Sequence, residues 1–113
     1  MKYDSLNKEL IAEFSAKEKN IHDETFKVDG FSLMKLRDIL FGLGKIYSED
    51  IENNKYIAYI YGGFFKKNRA TAIFKLVDDE ILVAIYAKEG LFNQHTCEGV
   101  INEFRKRIEK YLK

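Results

Sequence analysis

Between residues 55 and 88 the chain sets three apolar runs apart with short polar turns. The runs KYIAYIYGGFF (about 55–65), ATAIFKLV (about 70–77) and EILVAIYAK (about 80–88) are rich in β-branched and aromatic residues, the composition that fits a pleated surface. The connections Lys66-Lys67-Asn68-Arg69 and Asp78-Asp79 are far shorter than the dozen or so residues that a parallel crossover needs. The pattern therefore predicts a three-stranded antiparallel meander.

On either side the hydrophobic period changes from strand-like to helical. Leu6, Leu10 and Phe14, with Ile11 beside them, predict a helix over residues 4–19. Ser32 is a good N-cap, flanked by Phe31 and Leu36 at hydrophobic-staple positions. The helix it opens carries Leu33, Leu36, Leu40 and Leu43 on one face and closes at Gly44. Val100, Ile101, Phe104 and Ile108 predict a last helix over about 94–112, with basic residues in its final turns. Thr25–Val28 reads as a short strand at most, and residues 45–54 as a loop. The expectation is an α+β fold of order ααβββα: a three-stranded antiparallel β-meander flanked by two N-terminal helices and one C-terminal helix, one domain over residues 1–113.

Turn lengths suggest a register. A two-residue turn at Asp78-Asp79 sets Leu76 opposite Ile81, and facing Lys66 with Arg69 sets Tyr61 opposite Phe74. One sheet face then carries Ile57, Tyr59, Tyr61, Phe74, Val83 and Ile85, a core face. The other carries Tyr56, Ile60, Phe64, Ile73, Leu82 and Tyr86, and is too apolar for the wet side of an antiparallel sheet. The N-terminal helix covers it, or a second protein chain or a ligand does. In the second case these six residues form a protein-interaction surface, met by a second copy in a homodimer or by a heterologous protein.

Composition narrows the class. With 46% hydrophobic and 33% charged residues the chain is not of disordered composition. Its net charge of +1 argues against broad electrostatic adhesion to nucleic acid or an anionic membrane. Cys97 is the single cysteine, so no intrachain disulfide forms, which suits a reducing compartment. The first residues lack an apolar signal region, and no apolar run approaches the roughly 20 residues of a membrane span. The expected location is the cytoplasm. Heavy use of Lys, Ile, Asn, Tyr and Phe is that of an AT-rich, low-GC bacterial coding sequence.

Candidate chemistry is sparse. His95 and Cys97 are two apart at a helix start, where side chains do not share a face, and Cys97 falls on the side of Val100 and Ile101. His22, Asp23 and Glu24 with His95 and Cys97 show no metal-ligand spacing. Gly62-Gly63 lacks a phosphate-loop frame and reads as a bulge or a close backbone approach. Asp78-Asp79-Glu80 reads as a turn. No catalytic, cofactor-binding or metal-binding residue is assigned.

The hairpin tip Lys66, Lys67 and Arg69, beside aromatic strand residues, is a candidate nucleic-acid contact. The helix–three strands–helix order of residues 32–112 is similar to that of double-stranded RNA-binding domains, which use such a loop together with a basic start of the last helix. Residues 94–98 offer no Lys or Arg, so the likeness stops at element order. The meander also separates the basic tip from the basic end of the last helix, and nucleic acid is the less favoured partner. The sequence thus points to a small non-enzymatic protein-interaction or regulatory module. A nucleic-acid accessory protein using the Lys66–Arg69 tip is the alternative. A small-molecule-binding domain with its pocket between sheet and helices is the third reading.

Overall fold

A computed structural model describes residues 4–62, 67–88 and 95–112. Their order is α1 (Asp4–Phe14), β1 (Ile21–Lys27), α2 (Leu33–Leu43), β2 (Lys45–Asp50), β3 (Lys55–Gly62), β4 (Asn68–Val77), β5 (Glu80–Ala87) and α3 (Thr96–Leu112). The fold is α+β with an antiparallel sheet and three helices, as expected. The sheet has five strands rather than three, in the order β1-β5-β4-β3-β2, and β1 separates the first two helices.

The two additional strands are the sheet edges. Their sequences, IHDETFK and KIYSED, hid them from an apolar reading. Charged side chains suit an edge, because they oppose pairing with a foreign strand. In β2 the register also shifts between Ile46 and Ser48, so Tyr47 sits at a bulge and strict alternation fails. Helix α1 ends at Phe14, five residues short of the expected limit. Ser15 there takes a left-handed conformation (φ 56°) and its N–H donates to the Ile11 carbonyl at 3.1 Å. Helix α2 follows its sequence signals: the Ser32 hydroxyl accepts from the Lys35 N–H at 3.2 Å.

The β4–β5 register is the expected one, Leu76 opposite Ile81. The β3–β4 register is not. Tyr61 pairs with Arg69 rather than Phe74, because Gly62 pairs with Asn68 and the connection over 63–67 is longer than the tight turn assumed. That shift is an odd number of residues, so it moves every β3 side chain to the opposite face.

Two cores result. On one face α2 and α3 cover Tyr56, Ala58, Ile60, Ala72, Phe74, Ile81, Val83 and Ile85. Phe104 of α3 is fully buried there, its ring centroid 5.1 Å from that of Phe26 and 4.8 Å from that of Phe74. On the other face Leu6 and Leu10 of α1 pack on Ile57, Ile73, Leu82 and Ala84. Strands β4 and β5 are thus apolar on both sides because both sides are buried.

Candidate interaction surfaces

The six residues expected to share one surface do not share one. Tyr56 and Ile60 are buried under α2 and α3, while Ile73 and Leu82 are buried under α1. Tyr86 is half-buried beside the α1 cluster, and Phe64 lies outside the described residues. The Tyr56 hydroxyl reaches the Leu33 carbonyl at 3.4 Å, and burial raises its pKa above the usual phenol value. Of the basic tip, Lys67 and Arg69 are exposed, and Lys66 lies outside the described residues.

His95 precedes α3, with Nδ1 3.3 Å from Glu98 Oε1, and Cys97 is buried. Among the described residues no three His, Cys, Asp or Glu side chains come together as a metal site. Gly62 does mark a close approach: a Cβ there would lie 3.0 Å from the Thr96 carbonyl oxygen and 3.1 Å from Val100. A groove of about 250 Å³ opens beside it, between the end of α2 and α3, lined by Gly42, Leu43, Gly99, Glu103 and Arg107. The Arg107 guanidinium lies so close to Gly42 that a Cβ there would be 2.6 Å from Nη1. It sits by the C-terminal end of α2, where a cation complements the helix dipole.

Two exposed surfaces stand out instead. The first runs along the β2 edge. Met34 and Phe41, two turns apart on α2, and Ile51, just after β2, are each more than half exposed. Arg37 joins α2 to β2 through Glu49 at 2.6 Å, and its guanidinium lies 4.4 Å from the Phe41 ring centroid. That hydrogen bond to Glu49 is the main cause of a raised Arg37 pKa.

The second surface is the end of the α1-side face that α1 leaves open. Cross-strand neighbours run Lys45, Tyr59, Thr71, Tyr86, Ile21 across the sheet, with Tyr61 beside Arg69 in the next row. Tyr47 packs on Tyr59 at 5.0 Å and on Phe14 at 5.7 Å, and Arg69 stacks 4.3 Å over Tyr59. Tyr47 and Tyr61 are each more than half exposed. Sequence reasoning assigned Tyr59 and Tyr61 to the core, through the register that set Tyr61 opposite Phe74. The unbroken alternation Ile57-Tyr59-Tyr61 would have exposed them, had the 63–67 connection been given its full length.

No family model matches the chain, and no curated protein matches it. Among solved structures it is similar to a TBP-like protein from Parabacteroides distasonis ATCC 8503, with a TM-score of 0.42 and 5% identity over 65% of this chain and 59% of that one. A likeness this slight carries no functional argument. No helix among the described residues is long and apolar enough to cross a membrane.

Proposed function

We propose that the protein is a small non-enzymatic interaction module whose β2 edge meets a second copy of itself. The observation that carries this reading is the exposure of Met34 and Phe41 on α2 and of Ile51 just after β2, three large apolar side chains each more than half exposed. The core side of α2 is supplied by Leu36, Ile39 and Leu40, and Met34 and Phe41 leave more than half of their surface exposed. Charges around them balance: Lys35 and Arg37 stand against Asp38 and Glu49. A patch with both signs is complementary to its own copy, and a two-fold contact is the commonest way for such a patch to be covered.

Size-exclusion chromatography with light scattering tests it. The parent protein elutes as a dimer, and the double variant Met34→Glu, Phe41→Glu elutes as a monomer with an unchanged melting curve. A parent that stays monomeric at every concentration, or a variant that stays dimeric, removes this assignment.

A further inference from the structure

We propose that the open end of the α1-side face binds single-stranded nucleic acid, with bases stacking on Tyr61 and Tyr47 and phosphates held by Lys45, Lys67 and Arg69. The site stands on different residues from Met34, Phe41 and Ile51, although Lys45 and Tyr47 belong to the same edge strand, β2.

The strand positions there carry rings and cations, with only the uncharged Thr71 and Ile21 among them. Lys45 and Tyr59 are cross-strand partners, as are Tyr61 and Arg69. Lys67 leads into β4 and Lys88 follows β5, both exposed. None of the positions in the two rows is acidic. The acids of the same face lie elsewhere on it: Asp50 and Glu80 at its opposite end, among Lys27, Lys55 and Lys75, and Asp23 in the middle row opposite Ala84. In a chain of net charge +1 the strand positions at this end of the face are thus net positive.

Such a patch repels its own copy, so self-association does not account for it. The rings select among anionic partners. Tyr59 is enclosed by Phe14, Tyr47 and Arg69 and forms the floor. Tyr61 and Tyr47 rise from it more than half exposed. An unpaired base offers a flat π-face to such rings whatever its identity, while the phosphodiester chain meets the cations. A duplex keeps its bases stacked inside and would use the cations alone.

The test is fluorescence anisotropy of the full chain with labelled oligonucleotides of one mixed sequence, as single-stranded DNA, single-stranded RNA and duplex. Both single strands bind, and log K falls with log salt with a slope of about −2 for three phosphate contacts. Tyr61→Ala weakens binding about tenfold or more, and Tyr61→Phe keeps it. Lys67→Ala makes the salt slope shallower by about 0.7. Equal affinity for DNA and RNA assigns recognition to rings and phosphates, and a preference for RNA adds a contact to the 2′-hydroxyl. Both positions are exposed, and unchanged melting curves verify folding of the three variants. Absence of single-strand binding at low salt, indifference to Tyr61→Ala, or duplex binding as tight as single-strand binding overturns the proposal.

Discussion

The two faces of the sheet receive unequal helical cover. Five strands about 4.8 Å apart make a sheet roughly 20 Å wide. Two helices, each about 10 Å across, close one side of it, and α2 and α3 do so. On the other side α1 lies alone and shields the central residues Ile57, Ile73, Leu82 and Ala84. What it leaves uncovered differs from end to end. At one end Lys55 reaches from β3 to Glu9 of α1 at 2.6 Å and lies 4.0 Å from Asp50. At the other end, among the described residues, α1 reaches only as far as Phe14, which packs on Tyr47 and Tyr59, and Tyr61, Lys45 and Arg69 stand beyond it. The lesson concerns area rather than composition: a short helix on a five-stranded sheet leaves an open end, and the residues there are available for binding.

The largest test of this contrast is to empty each core in turn. Phe104→Ala on the closed side removes a fully buried ring in contact with Phe26 and Phe74, at a cost of about 3–5 kcal/mol. Leu10→Ala on the open side also removes a fully buried side chain. With one helix over it that site can relax, and the cost falls toward the lower end of the range, about 2–3 kcal/mol. Urea unfolding monitored by circular dichroism measures both. Equal costs would mean that α1 is as firmly built in as α2 and α3.

The same contrast explains what could be read from the sequence. Helix α2 was legible to the residue, because Ser32 and the leucine spacing are local signals. The β4–β5 hairpin was legible too, because the Asp78-Asp79 turn fixes its register: Asp78 supplies the left-handed conformation (φ 54°). Strand β3 was legible as a strand but not in its register, since that depends on the length of the 63–67 connection. The misplaced register turned the buried Tyr56 and Ile60 outward and the exposed Tyr61 inward. The edge strands were harder to read for a physical reason: β1 keeps His22, Asp23 and Lys27 exposed, so only its end showed, as the short strand Thr25–Val28, and β2 breaks alternation at Tyr47 and read as a loop. Of the proposed single-strand site, Lys67 and Arg69 were visible as a basic turn. Aromatic residues on the adjoining strand were visible too, but that Tyr61 and Tyr59 share the face of Arg69 appeared only once the register was known.

A test of intermediate size concerns how closely the helical layer approaches the sheet. Gly44 joins α2 to β2 with an extended backbone (φ −172°), so its glycine is not needed for conformation. It is needed for space: a Cβ there would run into the Tyr59 carbonyl oxygen and lie 3.1 Å from the Ile60 Cα. Gly44→Ala therefore displaces the α2–β2 junction and costs about 1–3 kcal/mol. Gly99, on the wall of the groove, has open space where a Cβ would stand, with nothing within 4 Å. Gly99→Ala in α3 therefore gains about 0.5–1 kcal/mol. Thermal melts of the two variants should move in opposite directions. A shift of the same sign in both would mean that the groove wall is as crowded as the junction.

The smallest effect lies at the charged end of the open face and depends on pH. The Asn53 side-chain amide donates to Asp50 Oδ2 at 2.8 Å, and this bond is the main reason that the Asp50 carboxyl is held below the usual carboxylate range. A backbone hydrogen bond from Asn53 and the charges of Lys55 and Lys75 act in the same direction. A carboxyl lowered in the folded state adds stability that is fully present above its unfolded value of about 3.9. That stability is lost as pH falls through the lower folded value. Asn53→Ala removes the largest cause, so the variant is slightly less stable at pH 7, and the gap closes as the solution is acidified below about 3.9. Urea midpoints measured from pH 7 downward follow the convergence. A gap that persists after Asp50 is protonated would assign the loss to the helical turn of residues 51–53 instead. The charged end of the face would then owe its order to backbone geometry rather than to its ionised groups.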